Sequence, residues 1–155
     1  MRYLGRTRGL YGDDGSAATA AAVDMLMDAV EDFRNKYLLL IYSDQLAEPA
    51  KQAYEAKHLL PSGMEGAPRN GGCHYALLEA WLARAGGPWA VGGSPTIADL
   101  QLFDLLDLHA RVFPGALGSY PRLAGLHARV AGLGGIKEYL AGPRRPAKIN
   151  GNSLG

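Results

Sequence analysis

The sequence predicts an all-α fold, a helical bundle gathered around one buried central helix, and three observations carry that prediction. Apolar residues recur at three- and four-residue steps from Ala17 to Ile41; they surround the segment Ile97 to Val112, which opens on a Thr-x-x-Asp capping signal; and no apolar–polar alternation of strand type appears. LLLIY at 38–42 reads as a strand in isolation, but the long helix absorbs it.

The first helix, 17–41, places Val23, Leu26, Met27, Val30, Phe33, Tyr37, Leu38 and Ile41 on one face and Asp24, Asp28, Glu31, Asp32 and Asn35 on the other. Ser16 caps its start, and the alanine run behind it favours helix. A second helix is expected over 48–60, with Pro49 tolerated in its first turn and Pro61 ending it. PSGMEGAPRNGG, 61–72, reads as a loop, and helix returns over 73–85 until Gly86 and Gly87 stop it. At Thr96-Ile-Ala-Asp99 each side chain can satisfy a free first-turn amide, so a helix starts there; its apolar residues lie all round, which marks it as the buried centre. Shorter helices follow over 120–130 and 136–140, and GPRRPAKINGNSLG is an irregular tail.

A chain of 155 residues with 48% hydrophobic and 20% charged residues has material for one core, and it is too weakly charged for a disordered chain. A net charge of +1 gives no electrostatic footprint for nucleic acid, so no nucleic-acid partner is expected. A single cysteine, Cys73, excludes an internal disulfide framework and fits a reducing, cytoplasmic compartment. No run approaches the roughly 18 apolar residues of a membrane span, and MRYLGRTRGLYG lacks the apolar core of a signal peptide, so no membrane association is expected.

Candidate chemistry is sparse. The carboxylates of Asp24, Asp28, Glu31 and Asp32 lie on neighbouring turns of one face, a geometry able to hold a metal or an ammonium group, though a solvated or interface-facing stripe is the commoner outcome. His58, His74, His109 and His127 show no zinc-type spacing and read as surface or partly buried histidines; no metal site is expected. Cys73 beside His74 does not face it on a helix, so a thiolate–imidazole pair needs a distant partner. The glycine pairs at 71–72, 86–87, 92–93 and 134–135 read as stops and turns, since none leads from a strand into a helix. Tyr42, at the end of the long helix, either presents its phenol to a ligand in an adjoining cleft or packs its ring and wets its hydroxyl.

The order LGRTRGLYG, VDMLMDAVEDFRNKYLLLIY, SPTIADLQLFDLLDLH, SYPRL and KINGN resembles the C-terminal half of the pi class of cytosolic glutathione transferases, over nearly the whole chain. The resemblance implies that 1–12 is the last helix of a thioredoxin-like domain with its linker, that 13–142 is the helical domain with 61–73 as an inserted loop, and that 143–155 is the tail. It also implies that the half that grips glutathione and activates its thiol lies outside these residues. Within the chain, Asp32 matches the aspartate that meets the γ-glutamyl amino group of glutathione across the dimer. Tyr42, Leu38 and Gly151 match electrophile-site positions.

Arg6 and Asp24 match ion-pair partners across the two-fold interface, which Arg2 and Glu31 are expected to join. Met25, Leu26 and Ala29 match the socket for the partner's aromatic key. Thr96 and Asp99 match the family's structural capping signal. The 61–73 insertion departs from the family, whose second long helix is continuous, and puts that socket in question. The resulting expectation is the electrophile-binding and dimerising half of an enzyme that conjugates reduced glutathione, its co-substrate, to hydrophobic electrophiles as a homodimer, without a cofactor and inactive alone; the alternative is a non-catalytic helical protein-interaction module.

Overall fold

The computed structural model describes residues 1–64, 73–148 and 150–155, with Gly63 and Met64 described by their backbone alone. Helix α1 (Arg2–Thr7) leads through a short linker to α2 (Ala17–Leu38), which Ser16 caps by accepting the Thr19 amide at 3.0 Å. The periodic face seen in the sequence is the buried one: Val23, Leu26, Met27, Val30, Phe33 and Tyr37 point inward. The α-helix ends three residues earlier than expected, at Leu38, and the chain continues as a π turn, Leu39–Ser43. Its amide bonds reach five and six residues back, Asp44 N to Leu39 O and Leu46 N to Leu40 O, both at 3.0 Å. Gln45 and Leu46 then stop the helix with φ of +50° and +54°, a role usually given to glycine.

Helix α3 (Glu48–Tyr54) carries proline in its first turn and also runs into a π turn, Glu55–Leu59, followed by a 3-10 turn at Pro61–Met64. Of the 61–73 insertion, residues 65–72 lie outside the described residues. Helix α4 (His74–Ala85) starts at Cys73, whose sulfur accepts the Ala76 amide at 3.4 Å, and stops at Gly86 with φ +68°.

The central helix is α5 (Ile97–Val112), which packs against α2 on one side and α6 (Pro121–Ala131) on the other, with α7 (Gly134–Ala141) beside α6. Leu102, Leu105 and Leu106 are wholly enclosed. The capping box forms, with Asp99 at its centre: the buried carboxylate accepts Thr96 N, Thr96 Oγ1 and, from the preceding loop, Ala90 N, each at 2.8 Å. One carboxylate thus fixes both the start of α5 and the loop that delivers it. Leu10 O accepts the Ile97 amide at 2.9 Å, and Gly5 lies against Ile97 so closely that a Cβ would come within 2.9 Å of Ile97 Cδ1. These contacts tie α1 and its linker to the head of the core helix. Among the described residues there is no strand, and no helix is long and apolar enough to cross a membrane.

Candidate functional site

Tyr42 sits on the outer side of the π turn with its ring half exposed, while Leu40 and Ile41 beside it are buried. Its hydroxyl accepts the Gly151 amide at 3.0 Å, so the tail, distant in sequence, folds back onto the end of α2. The neighbouring asparagines complete the attachment: Asn150 Nδ2 donates to Tyr37 Oη at 3.2 Å and Asn152 Nδ2 to Ile41 O at 2.7 Å. The last carbonyls of a helix lack donors of their own, and the tail amides supply one. Upstream, Arg111 Nη1 donates to Ala147 O at 3.2 Å and Arg145 pairs with Asp107, which also lies 3.4 Å from His127 Nε2. Burial alone would raise the Asp107 carboxyl, but His127 and Arg145 outweigh it and hold it below its ordinary value. Leu38 and Leu39, at the end of α2 and the start of the π turn that carries Tyr42, are also exposed.

Asp32 is on the solvent side of α2 and makes no hydrogen bond or ion pair among the described residues. It lies about ten residues, roughly 15 Å of helix rise, before Tyr42, so the two cannot address one atom of a ligand. Nearer the start of α2, Asp24 takes Arg2 Nε at 2.7 Å, Arg6 Nη2 at 3.2 Å and the Tyr11 hydroxyl at 2.5 Å, all within the chain, and Arg2 also pairs with Asp28. The Tyr11 hydrogen bond and the two guanidiniums hold the Asp24 carboxyl below its ordinary value despite some desolvation. Of the socket residues, Met25 and Ala29 face outward, but Leu26 is buried in the core of this chain and is not presented to a partner. Glu31 lies 3.5 Å from Arg34 and accepts Gln101 Nε2 at 3.0 Å.

His74 and His127 are partly buried, as expected, but His58 and His109 depart from the expectation of surface or partly buried groups. His109 is fully enclosed, with Nε2 2.9 Å from the Tyr54 hydroxyl and Nδ1 3.2 Å from that of Tyr75. His58 is buried as well, its Nδ1 3.0 Å from His74 Nδ1, and Phe33 stacks on His74 with centroids 4.4 Å apart. Desolvation pushes His58 down to about 4 and His109 to about 3, with neighbouring cationic groups adding to both. Position held a signal for His109: it follows Leu102, Leu105 and Leu106 at helical steps on the helix read as wholly buried. His58 held no such signal, because its burial comes from α4 returning across it. Cys73 is buried too, its sulfur 3.0 Å from the Tyr120 hydroxyl and 3.3 Å from His58 O, so the distant partner it needed is a phenol and not an imidazole. Among the described residues no group of three potential ligands is placed to hold a metal.

A family model described as "Glutathione S-transferase, C-terminal domain" matches residues 70–143. Glutathione S-transferase P of Bos taurus is 37% identical over 155 residues, covering 98% of this chain and 66% of its own length, and that of Capra hircus matches equally. The chain belongs to the glutathione S-transferase C-terminal domain family. The solved structure of the Onchocerca volvulus Pi-class glutathione S-transferase superposes on it with a TM-score of 0.78 at 28% identity, over 99% of this chain and 68% of that one. The chain therefore spans about two thirds of the length of these transferases, and the helical bundle, the capped α5 and the tail lie in the shared part. The pi-class likeness read from LGRTRGLYG and KINGN agrees with these relatives.

Proposed function

We propose that this chain is the electrophile-binding and dimer-forming part of a glutathione transferase, which conjugates reduced glutathione to hydrophobic electrophiles. The observation that carries the proposal is the bond from the Gly151 amide to Tyr42, a phenol fixed by the tail at the end of a helix whose neighbouring leucines, Leu38 and Leu39, are exposed. An apolar surface with one well-placed donor is the usual form of a site for a hydrophobic ligand carrying a polar reacting group. Asp32, solvent-facing and without a cation among the described residues, is free to receive an ammonium group brought by a second subunit. Met25 and Ala29, on the same exposed side of α2, are the residues left to meet that subunit. Glutathione enters as co-substrate; thiol activation belongs to residues not among these 155, and no cofactor is called on.

Two measurements test the proposal on the chain itself. The first is retention on immobilised glutathione together with turnover of glutathione and an aryl halide; neither is expected. The second is titration with the aryl halide alone, where saturable binding is expected and Leu38→Asp weakens it. Retention on the resin overturns the division of labour. Absence of aryl halide binding overturns the site and leaves the helical interaction module as the reading to pursue.

A further inference from the structure

Helix α6 carries a glycine that its fold does not require. Gly125 lies mid-helix without a left-handed backbone, and a Cβ built on it would meet nothing within 4 Å. Glycine inside a helix weakens it against alanine, so the space left open by the missing methyl calls for an explanation. That space belongs to a recess of about 200 Å³ between the end of α4, the turn at Gly87 and Pro88, and α6, with the buried Leu82 and Leu126 among its walls. Arg122 and Arg129 stand three residues before Gly125 and four after it, on the same helix face, and both line the recess.

Neither guanidinium is saturated. Arg122 Nη1 stands 4.0 Å from Glu79 Oε1, outside hydrogen-bond reach; the two Glu79 oxygens instead accept the first amides of α6, Arg122 N at 3.0 Å and Leu123 N at 2.9 Å. The helix end is thus already capped and is not the site. Arg129 donates from Nη1 to Pro88 O and lies over the Trp89 ring, 5.5 Å from its centroid, with no carboxylate partner among the described residues. Those two contacts fix its plane and leave its other donors unspent.

The geometry points to a binding site for a phosphate dianion in this recess, held between Arg122 and Arg129 over the bare backbone of Gly125. A carboxylate has two oxygens and fills one guanidinium fork. A tetrahedral dianion has oxygens for two forks at once, and its charge matches that of the two arginines. Leu82 and Leu126 keep water from part of the recess, which strengthens the pairing. Alanine at 125 would make the better helix, but its methyl would stand between the two guanidiniums, in the space the anion is to fill.

The test titrates the full 155-residue chain with inorganic phosphate or with acetate at pH 7.5 and fixed ionic strength, following the Arg122 and Arg129 Nε–H and Gly125 amide signals by ¹⁵N–¹H NMR. Phosphate is expected to shift all three saturably in the low millimolar range, with acetate about tenfold weaker. Arg122→Gln removes a side chain that makes no hydrogen bond among the described residues, so it should weaken phosphate by about tenfold and leave the urea midpoint unchanged. Gly125→Ala separates a site from a packing requirement: it should raise the urea midpoint while weakening phosphate by about fivefold. The inference is overturned by signals that do not respond or do not saturate, by acetate binding as well as phosphate, by phosphate binding that survives in Arg122→Gln, or by a Gly125→Ala variant that loses stability or binds phosphate unchanged.

Discussion

Acid should unfold this domain through its buried imidazoles well before its carboxylates titrate. His58 and His109 have folded-state values near 4 and 3 against an ordinary 6.5. A histidine whose folded value is depressed contributes stability that is fully present above 6.5 and is lost as pH falls toward the folded value, because only the unfolded chain takes up the proton in that window. Each such group removes about 1.4 kcal/mol per pH unit, so the pair removes about 2.7 kcal/mol per unit between pH 6.5 and 4. At pH 5 the loss is about 4 kcal/mol, a large part of the 5–15 kcal/mol typical of a domain. Asp14, Asp24 and Asp107 are held below 3.8, so their contribution persists through this window and is lost only beneath it. Urea unfolding followed by circular dichroism at pH 7.5, 6 and 5 measures the slope. In His109→Gln the slope should fall by about half, while stability at pH 7.5 drops by about 1–3 kcal/mol for the lost bonds to Tyr54 and Tyr75. A wild-type stability that is flat from pH 7.5 to 5, or a slope indifferent to His109→Gln, refutes the reasoning.

Asp99→Ala removes the acceptor of three 2.8 Å bonds and leaves Thr96 N and Ala90 N buried without partners. It should cost about 3 kcal/mol in urea unfolding, more than a typical surface cap. Tyr42→Phe deletes the acceptor of the Gly151 amide, and hydrogen exchange at Gly151 should quicken about fivefold with the α5 amides unchanged, as for one lost hydrogen bond of about 1 kcal/mol. Cys73, with no exposed surface, should react with a disulfide reagent only at the rate of unfolding, and Leu102→Ala, by opening a core cavity, should speed that labelling at least tenfold.

Helix placement was legible for α2 to α6 because each of these carries its own punctuation. Ser16, Pro49, Gly86, Thr96 with Asp99, and Pro121 each act within a turn of where they stand, and a local signal survives translation into structure. The π turns at 39–43 and 55–59 were not legible: nothing at those positions breaks a helix, and the left-handed pair Gln45–Leu46 uses residues with no preference for that conformation. The site splits along the same line. Tyr42 was singled out from its place at a helix end, but its bond to Gly151 joins residues 109 apart in sequence and could only be named through resemblance. The His109 pairings with Tyr54 and Tyr75 span 55 and 34 residues, and no spacing rule reaches that far.

The attachment of the tail decides what Tyr42 has left to offer. A phenol carries one proton to donate and lone pairs to accept with. Gly151 N, being an amide, can only donate, so it takes a lone pair and fixes the hydroxyl's position without consuming its proton. Asn150 treats Tyr37 in the same way one turn back, but there the ring is buried, and desolvation holds the phenol above its ordinary value. Two tyrosines on one helix end thus receive the same kind of bond from the same tail and differ in exposure. Tyr37 is closed off as part of the core; Tyr42, half exposed, keeps its proton unspent. Had the tail presented a carbonyl at that point, the proton would be spent and the patch would be purely apolar. The sense of one hydrogen bond thus decides whether the proposed site offers a ligand a donor or only apolar surface.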